Sequence, residues 1–175
     1  ILARIRKVPQ GGAAHDYIEW ATDVPGVERV WVDPRGAGAG TVVVRIARND
    51  PVNHAPDAGV LAAADEYIQY RRPVTATVHV LVPPAWPVVY RITALQPANA
   101  AVRAAVEAEL KELHRVAAEP GGMQDGVWRG VLLVSHMRAS ISAAAGEYDH
   151  VLLWPAANLQ TPDGHLATFG GISWE

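Results

Sequence analysis

Val27-Glu28-Arg29-Val30-Trp31-Val32-Asp33, a tip running from Pro34 to Gly40, and Thr41-Val42-Val43-Val44-Arg45-Ile46-Ala47-Arg48 set the architecture of this chain. Two runs rich in valine and aromatic residues flank the glycine-rich tip Gly36-Ala37-Gly38-Ala39-Gly40, a pattern that predicts a β-hairpin. The glycines also invite a phosphate-loop reading. Such a loop must follow a strand and open a helix whose N-terminus meets the anion. Here it opens a second strand, so the hairpin is the better reading.

Working outward, Ala13 to Thr22 has helical spacing, with Tyr17, Ile18 and Ala21 on one face and Pro25-Gly26 as the stop. Beyond the hairpin and a polar loop, Asn49 to Pro56, Asp57 is placed to N-cap a helix whose Val60, Leu61, Ala64, Tyr67 and Ile68 form a stripe. Pro73 ends it. Val74 to Val82 then alternates, with Val74, Ala76, Val78, Val80 and Val82 on one side, as a half-buried strand does. Helix, hairpin, helix and strand make a first α+β module over residues 1–82.

Pro83-Pro84-Ala85-Trp86-Pro87 is expected to be a stiff joint, since so many prolines do not suit a paired central strand. A second module, 83–175, follows. Its expected elements are a strand over Val88–Leu95 and a helix over Ala98–Ala118 with Val102, Ala105, Val106, Leu110, Leu113 and Ala117 inward. A loop with Met123, Asp125 and Trp128 leads to an apolar run, Val131–Val134, and Ser135 is placed to cap a helix reaching about Ala145. Strands at His150–Trp154 and Leu166–Trp174, with a turn at Pro162-Asp163-Gly164, read as a terminal hairpin. The fold expected is α+β: two consecutive small two-layer modules, each a mostly antiparallel sheet with helices packed on one face. The halves share element content in different order.

With 175 residues, half of them hydrophobic, 19% charged and none cysteine, the chain reads as globular, with one or two compact domains. No cysteine means no disulfide framework, no thiolate zinc site and no cysteine nucleophile. A net charge of −3 and scattered basic residues show no nucleic-acid footprint. Each Val/Leu/Ile run is broken by Arg, Pro, His or Asp before it could span a bilayer. Ile1 brings neither an initiator Met nor a signal-peptide layout, and reads as part of something longer.

Candidate chemistry is thin. The mixed metal-site candidates are His15 with Asp16 and Glu19, and His150 with Asp149 and Glu147; no His-Glu-x-x-His is present. Ser135-His136 sits where a cap is expected, and there is no Gly-x-Ser-x-Gly elbow. Asp65-Glu66 and Glu107/Glu109 fall on polar helix sides, where solvation accounts for them. The expectation is no catalytic residue, no metal and no cofactor. Six tryptophans against one phenylalanine is the more useful anomaly. Trp20, Trp86, Trp128, Trp154 and Trp174 fall at helix, joint, loop and strand-edge positions, and Trp is enriched where proteins bury surface against partners, although core packing is the plain alternative.

The stretch Gly11 to Pro34, followed by Gly38-Ala39-Gly40-Thr41-Val42-Val43-Val44 and by Arg71-Arg72-Pro73-Val74-Thr75-Ala76-Thr77-Val78-His79-Val80, resembles the baseplate J family of phage tail proteins. The likeness continues through Ala101–Val106, Glu119-Pro120-Gly121-Gly122 and Ala144–His150, and so covers about Arg6 to Trp174. The resemblance implies a structural wedge component of a contractile-tail baseplate or related injection machine, with no catalytic residues. Its implied partners are other wedge and hub proteins and neighbouring copies of itself, with no nucleic acid and no membrane insertion. The implied location is the virion tail baseplate, after synthesis in the bacterial cytoplasm. Family proteins are longer, with a further N-terminal portion. Hairpin tips and sheet edges are the expected contact surfaces, with Trp20, Arg35, Trp86, Trp128 and Trp174 as candidate contacts. The rival reading is a small-ligand-binding or hydrolytic α+β domain, which needs His15, Asp16 and Glu19, or Ser135, His136 and Asp149, to converge on a pocket.

Overall fold

A computed structural model describes residues 12–175; the chain start at Ile1 and the onset of the family likeness at Arg6 lie outside the described residues. The chain divides into two compact units. One is the chain up to Asn49 together with Ala55–Pro83, and the other is Asp50–His54 together with Pro84–Glu175.

In the first unit, α1 (Ala14–Thr22) leads to β1 (Arg29–Pro34) and β2 (Thr41–Ala47), then α2 (Ala58–Arg71) and β3 (Thr77–Leu81). The hairpin forms as the valine runs demand, pairing Arg29 with Ala47 through to Pro34 with Val42. β3 adds to β2 in parallel, Val42 beside Val78 and Val44 beside Val80. Tyr17 and Ala21 of α1, Ala64 and Ile68 of α2, and Val44, Ile46, Val78 and Val80 of the sheet meet in one core.

Three details differ from the sequence expectation. Ile18 is 41% exposed, because Tyr17, Ala21 and Val24 already fill the inward side of α1 and its turn. β3 starts at Thr77, leaving Val74 98% exposed. The Arg72 guanidinium donates to the carbonyls of Pro73 and Ala76, and Ala76 N–H donates to the Pro73 carbonyl, so this stretch is a turn before it is a strand. Asp57 occupies the N-cap position of α2, but its side chain makes no capping bond.

The second unit runs β4 (Ala85–Gln96), α3 (Ala100–Ala117), β5 (Gly122–Gln124), β6 (Val127–Arg129), β7 (Val131–Leu132), α4 (Val134–Ser142), β8 (Asp149–Trp154), β9 (Leu159–Gln160) and β10 (Leu166–Trp174). Its main sheet has the order β10-β4-β8, with β10 parallel and β8 antiparallel to β4. Val88, Tyr90 and Ile92 of β4, Val102, Val106 and Leu110 of α3, and Met137 and Ile141 of α4 are all buried. Asn99 caps α3, its side chain accepting from Val102 N–H at 2.9 Å.

The terminal hairpin is a correction: β8 and β10 do not pair, because β4 lies between them. The proline joint is another. Ala85, Trp86 and Pro87 belong to the central strand, β4. Leu166 N–H donates to the Pro84 carbonyl and Glu175 N–H to that of Ile92, each at 2.9 Å. With period-two alternation, the even-numbered residues of β4 up to Ile92 therefore bond β10 and the odd-numbered ones face the β8 side. Pro87 is odd, and β8 pairs no further back than Arg91, so its missing N–H faces no neighbouring strand. The expected loop around Trp128 is a small hairpin, β5 with β6, pairing Met123 with Trp128. Ser135 is not the cap of α4. That helix starts one residue earlier, and Asn158 accepts its Val134 N–H at 3.0 Å.

One arm occurs twice. α1 and α4 are each nine residues, each is followed by a tight turn with a glycine at positive φ (Gly26, 94°; Gly146, 82°), and each runs into a six-residue strand, β1 or β8. The turn bonds correspond: Val24 N–H to the Ala21 carbonyl and Val27 to Val24 in one, Ala144 to Ile141 and Glu147 to Ala144 in the other. In both units the arm's strand is antiparallel to the central strand, whose other neighbour is parallel. The arm precedes β2-α2-β3 in the first unit and interrupts the passage from α3 to β10 in the second.

Candidate functional site

A strand at the edge of a sheet presents unpaired N–H and C=O groups, and folded chains usually cover or guard them. β3 is covered from α2: Gln69 Nε2 donates to the Val78 carbonyl at 3.0 Å while Asp65 and Arg72 hold the same amide in place. β10 is covered at two points. Phe169 N–H donates to the Pro51 carbonyl at 2.8 Å, and His114 Nδ1 lies 3.2 Å from the Ala167 carbonyl. β1 is guarded by Arg29, Asp33 and Pro34. At β8 the Asp149 carboxylate accepts from the His150 N–H at 2.9 Å, while Val151, Leu153 and Trp154 beyond it are 46%, 40% and 48% exposed.

The sheet is also incomplete beside β8. That strand ends at Trp154, opposite Arg91, and Pro155 follows it. Ala85, Pro87 and Val89 continue past that point with their backbone groups turned to the vacated side. The result is a notch of about 280 Å³. Trp86, Val88 and Leu159, with the exposed Val89, Arg91 and Trp154, are among its lining residues. Arg91 is the one charged lining residue, and it is matched by Glu175, Nε to Oε1 at 2.7 Å and Nη2 to Oε2 at 3.2 Å. That bidentate contact lowers the Glu175 carboxyl pKa and raises that of the guanidinium.

Beneath the sheet, Tyr90 of β4, His114 of α3 and Phe169 of β10 pack together, with Tyr90 Oη 2.9 Å from His114 Nε2. A carbonyl can only accept, so Nδ1 donates to Ala167 and Nε2 accepts from the Tyr90 hydroxyl. Burial pushes the imidazole down to about 4, partly opposed by the Ala167 bond, and pushes the phenol up. The cluster is sealed: His114 is 1% exposed. It therefore fastens a helix to two strands and offers nothing to a substrate.

The residues a hydrolytic or metal site would need do not converge on a pocket: His15 Nε2 lies 3.3 Å from Asp16 Oδ1, but none of these residues lines the notch. Asp16 is buried and accepts from the backbone N–H of Gly12 and Ala13 at 2.9 and 3.1 Å, a capping role, while Glu19 is exposed. Ser135 and His136 are exposed on α4, and Asp149 accepts from His150 N–H. His150 Nδ1 pairs with Glu147 at 2.9 Å without a third ligand. Among the described residues, no three His, Cys, Asp or Glu side chains are grouped to hold a metal ion.

The candidate contacts are dispersed. Trp20 packs edge-on against Tyr17 at 5.1 Å and rests on the core of its unit. Arg35 stands exposed at the hairpin tip with φ of 69°. Trp128 is half-buried in β6, its Nε1 buried without a partner. Trp174 is half-buried, with the Arg103 guanidinium 5.3 Å from its ring. Trp86 alone reaches the notch, beside Trp154. Val89, Arg91 and Leu159 escape a sequence reading, since only strand order reveals that β4 outruns β8.

Comparison with known proteins matches residues 9–82 to the baseplate J-like central domain and residues 90–175 to the baseplate J-like protein C-terminal domain. The chain is 37% identical over 175 residues to the protein JayE of Escherichia coli (strain K12), covering 99% of this chain and 63% of that protein. It is 32% identical to the Mu-like prophage FluMu protein gp47 of Haemophilus influenzae, covering 99% of this chain and 49% of the relative. Against the baseplate protein gp47 of Escherichia phage Mu the identity is 28%, over 98% of this chain and 48% of the relative. The chain thus spans roughly half to two thirds of the length of these relatives.

Proposed function

The chain belongs to the baseplate J-like family, and on that footing we propose that it is a structural component of a contractile-tail baseplate wedge, acting by protein–protein contact and not by catalysis. The observation that carries this reading is the pair of domain matches, central then C-terminal, which account for both halves of the chain in order. Its partners are wedge and hub proteins and neighbouring copies of itself. Its place is the virion tail baseplate, after synthesis in the host cytoplasm, and the two modules, 1–82 and 83–175, are its working parts. No helix among the described residues is long and apolar enough to cross a membrane.

Exposed apolar side chains on strands support contact with other proteins. Among the candidate contacts, Arg35 at the hairpin tip is exposed, while Trp20, Trp86, Trp128 and Trp174 are each half-buried on their own unit. The test is sedimentation velocity of the full-length protein with the wedge and hub proteins of its own tail. A faster-sedimenting complex is expected, weakened by Arg35→Glu. Persistent failure of the full-length protein to associate with any of them overturns the proposal.

A further inference from the structure

The notch between the end of β8 and the N-terminal half of β4 is a vacant strand position. At Arg91 and Ile92, β4 has a neighbour on each side; from Ala85 to Val89 it has β10 alone. On the open side lie the N–H groups of Ala85 and Val89 and the carbonyls of Ala85, Pro87 and Val89, the donors and acceptors that would have paired with a longer β8.

We propose that this position receives an extended, uncharged segment of another polypeptide, which pairs with Ala85–Val89 in line with β8 and sets one large apolar side chain over Trp86, Val88 and Leu159. The proposal rests on the reading of the chain as an assembly component and adds the chemistry of one partner. Main-chain bonds to a sheet edge supply the affinity in this mode of recognition, and alternate side chains supply the choice of partner. Charge decides the composition. The lining is apolar except for Arg91, and Glu175 already engages that guanidinium through both oxygens, so an incoming carboxylate or ammonium finds no free counter-charge and would lose its hydration without compensation. Period two decides the spacing. One side chain of the added strand drops to the Trp86 side, and its neighbours rise beside Val89 and Trp154.

Two of the other edges, β3 and β10, are partly taken up. The Gln69 amide and the Arg72 guanidinium donate to carbonyls at and beside β3, the Pro51 carbonyl takes up the Phe169 N–H of β10, and His114 Nδ1 takes up its Ala167 carbonyl.

The probe is a blocked peptide, acetyl-Thr-Val-Thr-Leu-Thr-Val-amide, added at millimolar concentration to the folded 175-residue chain. Expected are saturable NMR shifts of the Val89 amide and of the Trp86 and Trp154 indole N–H, with exchange of the Val89 amide slowed about tenfold. A peptide N-methylated at alternate residues, or one with Glu in place of Val, should produce neither effect. Val89→Glu in the protein should abolish the shifts, and Trp154→Ala, at an exposed position, serves as a second variant should the first fail to fold. Unchanged exchange at Val89, or equal effects from the charged and N-methylated peptides, overturns the proposal. The peptide assay contains no tail protein, so its failure is distinct from failure of the association experiment above.

Discussion

His114 shows how much one side chain of α3 carries. Its ring is held between Tyr90 and Ala167, and the neutral form is the native one. Its pKa falls from 6.5 to about 4 on folding. Between those values the unfolded chain binds the proton and the folded chain does not, so stability is full above pH 6.5 and falls as the pH drops towards 4. The loss is roughly 3 kcal/mol at most. Urea denaturation at pH 7 and pH 4.5 should show the second unit weakened by acid, and His114→Leu should flatten the His114 share of that slope. The same variant should cost about 1–3 kcal/mol at pH 7, since the Tyr90 hydroxyl and the Ala167 carbonyl lose their partner. A slope unchanged in His114→Leu would refute the assignment. The helical period of α3 is legible in the sequence, and so is the place of His114 beside Leu110 and Leu113. That a histidine there is buried and hydrogen-bonded is not legible, because both its partners lie on strands far along the chain.

At the scale of elements, the twice-used arm allows a paired test. Gly26 and Gly146 both hold positive φ, 94° and 82°, where an L side chain is strained. A Cβ at Gly26 would also stand 3.0 Å from Val60 Cγ2, whereas one at Gly146 meets Val102 Cγ2 at an ordinary 3.4 Å. Both alanine variants should destabilise by about 1–2 kcal/mol from backbone strain. Gly26→Ala should cost more, measured as the shift in urea midpoint; equal costs, or the reverse order, would remove Val60 from the account. Pro25-Gly26 is readable as a stop, and the alternating valines of β2 as a strand. The limits of β3 and the cap of α4 are not, because Arg72 and Asn158 set them through bonds that no local pattern announces.

For the whole molecule, two compact units imply two cores. Ile46 is 0% exposed in the core of the first, and Leu110 is 0% exposed on α3 of the second. Each change to alanine should cost about 2–5 kcal/mol. If the two cores are independent, the double variant should lose the sum to within about 0.5 kcal/mol in calorimetry or denaturant unfolding. A large deviation from additivity would mean that the units are energetically one.

The amino-acid order alone determined the α+β class, the helices, the first hairpin and the family likeness, because each rests on short-range periodicity, turn residues or residue identity. Tertiary structure decided which strands became neighbours. β10 pairs with β4 in parallel across an intervening helix pair, Pro87 is tolerated in a central strand because its side of β4 is vacant, and the notch exists because β8 stops at Trp154, opposite Arg91, while β4 runs on to Ala85. Strand order is settled by long-range burial and by backbone hydrogen bonds, and those energies depend on residues that are remote in the chain.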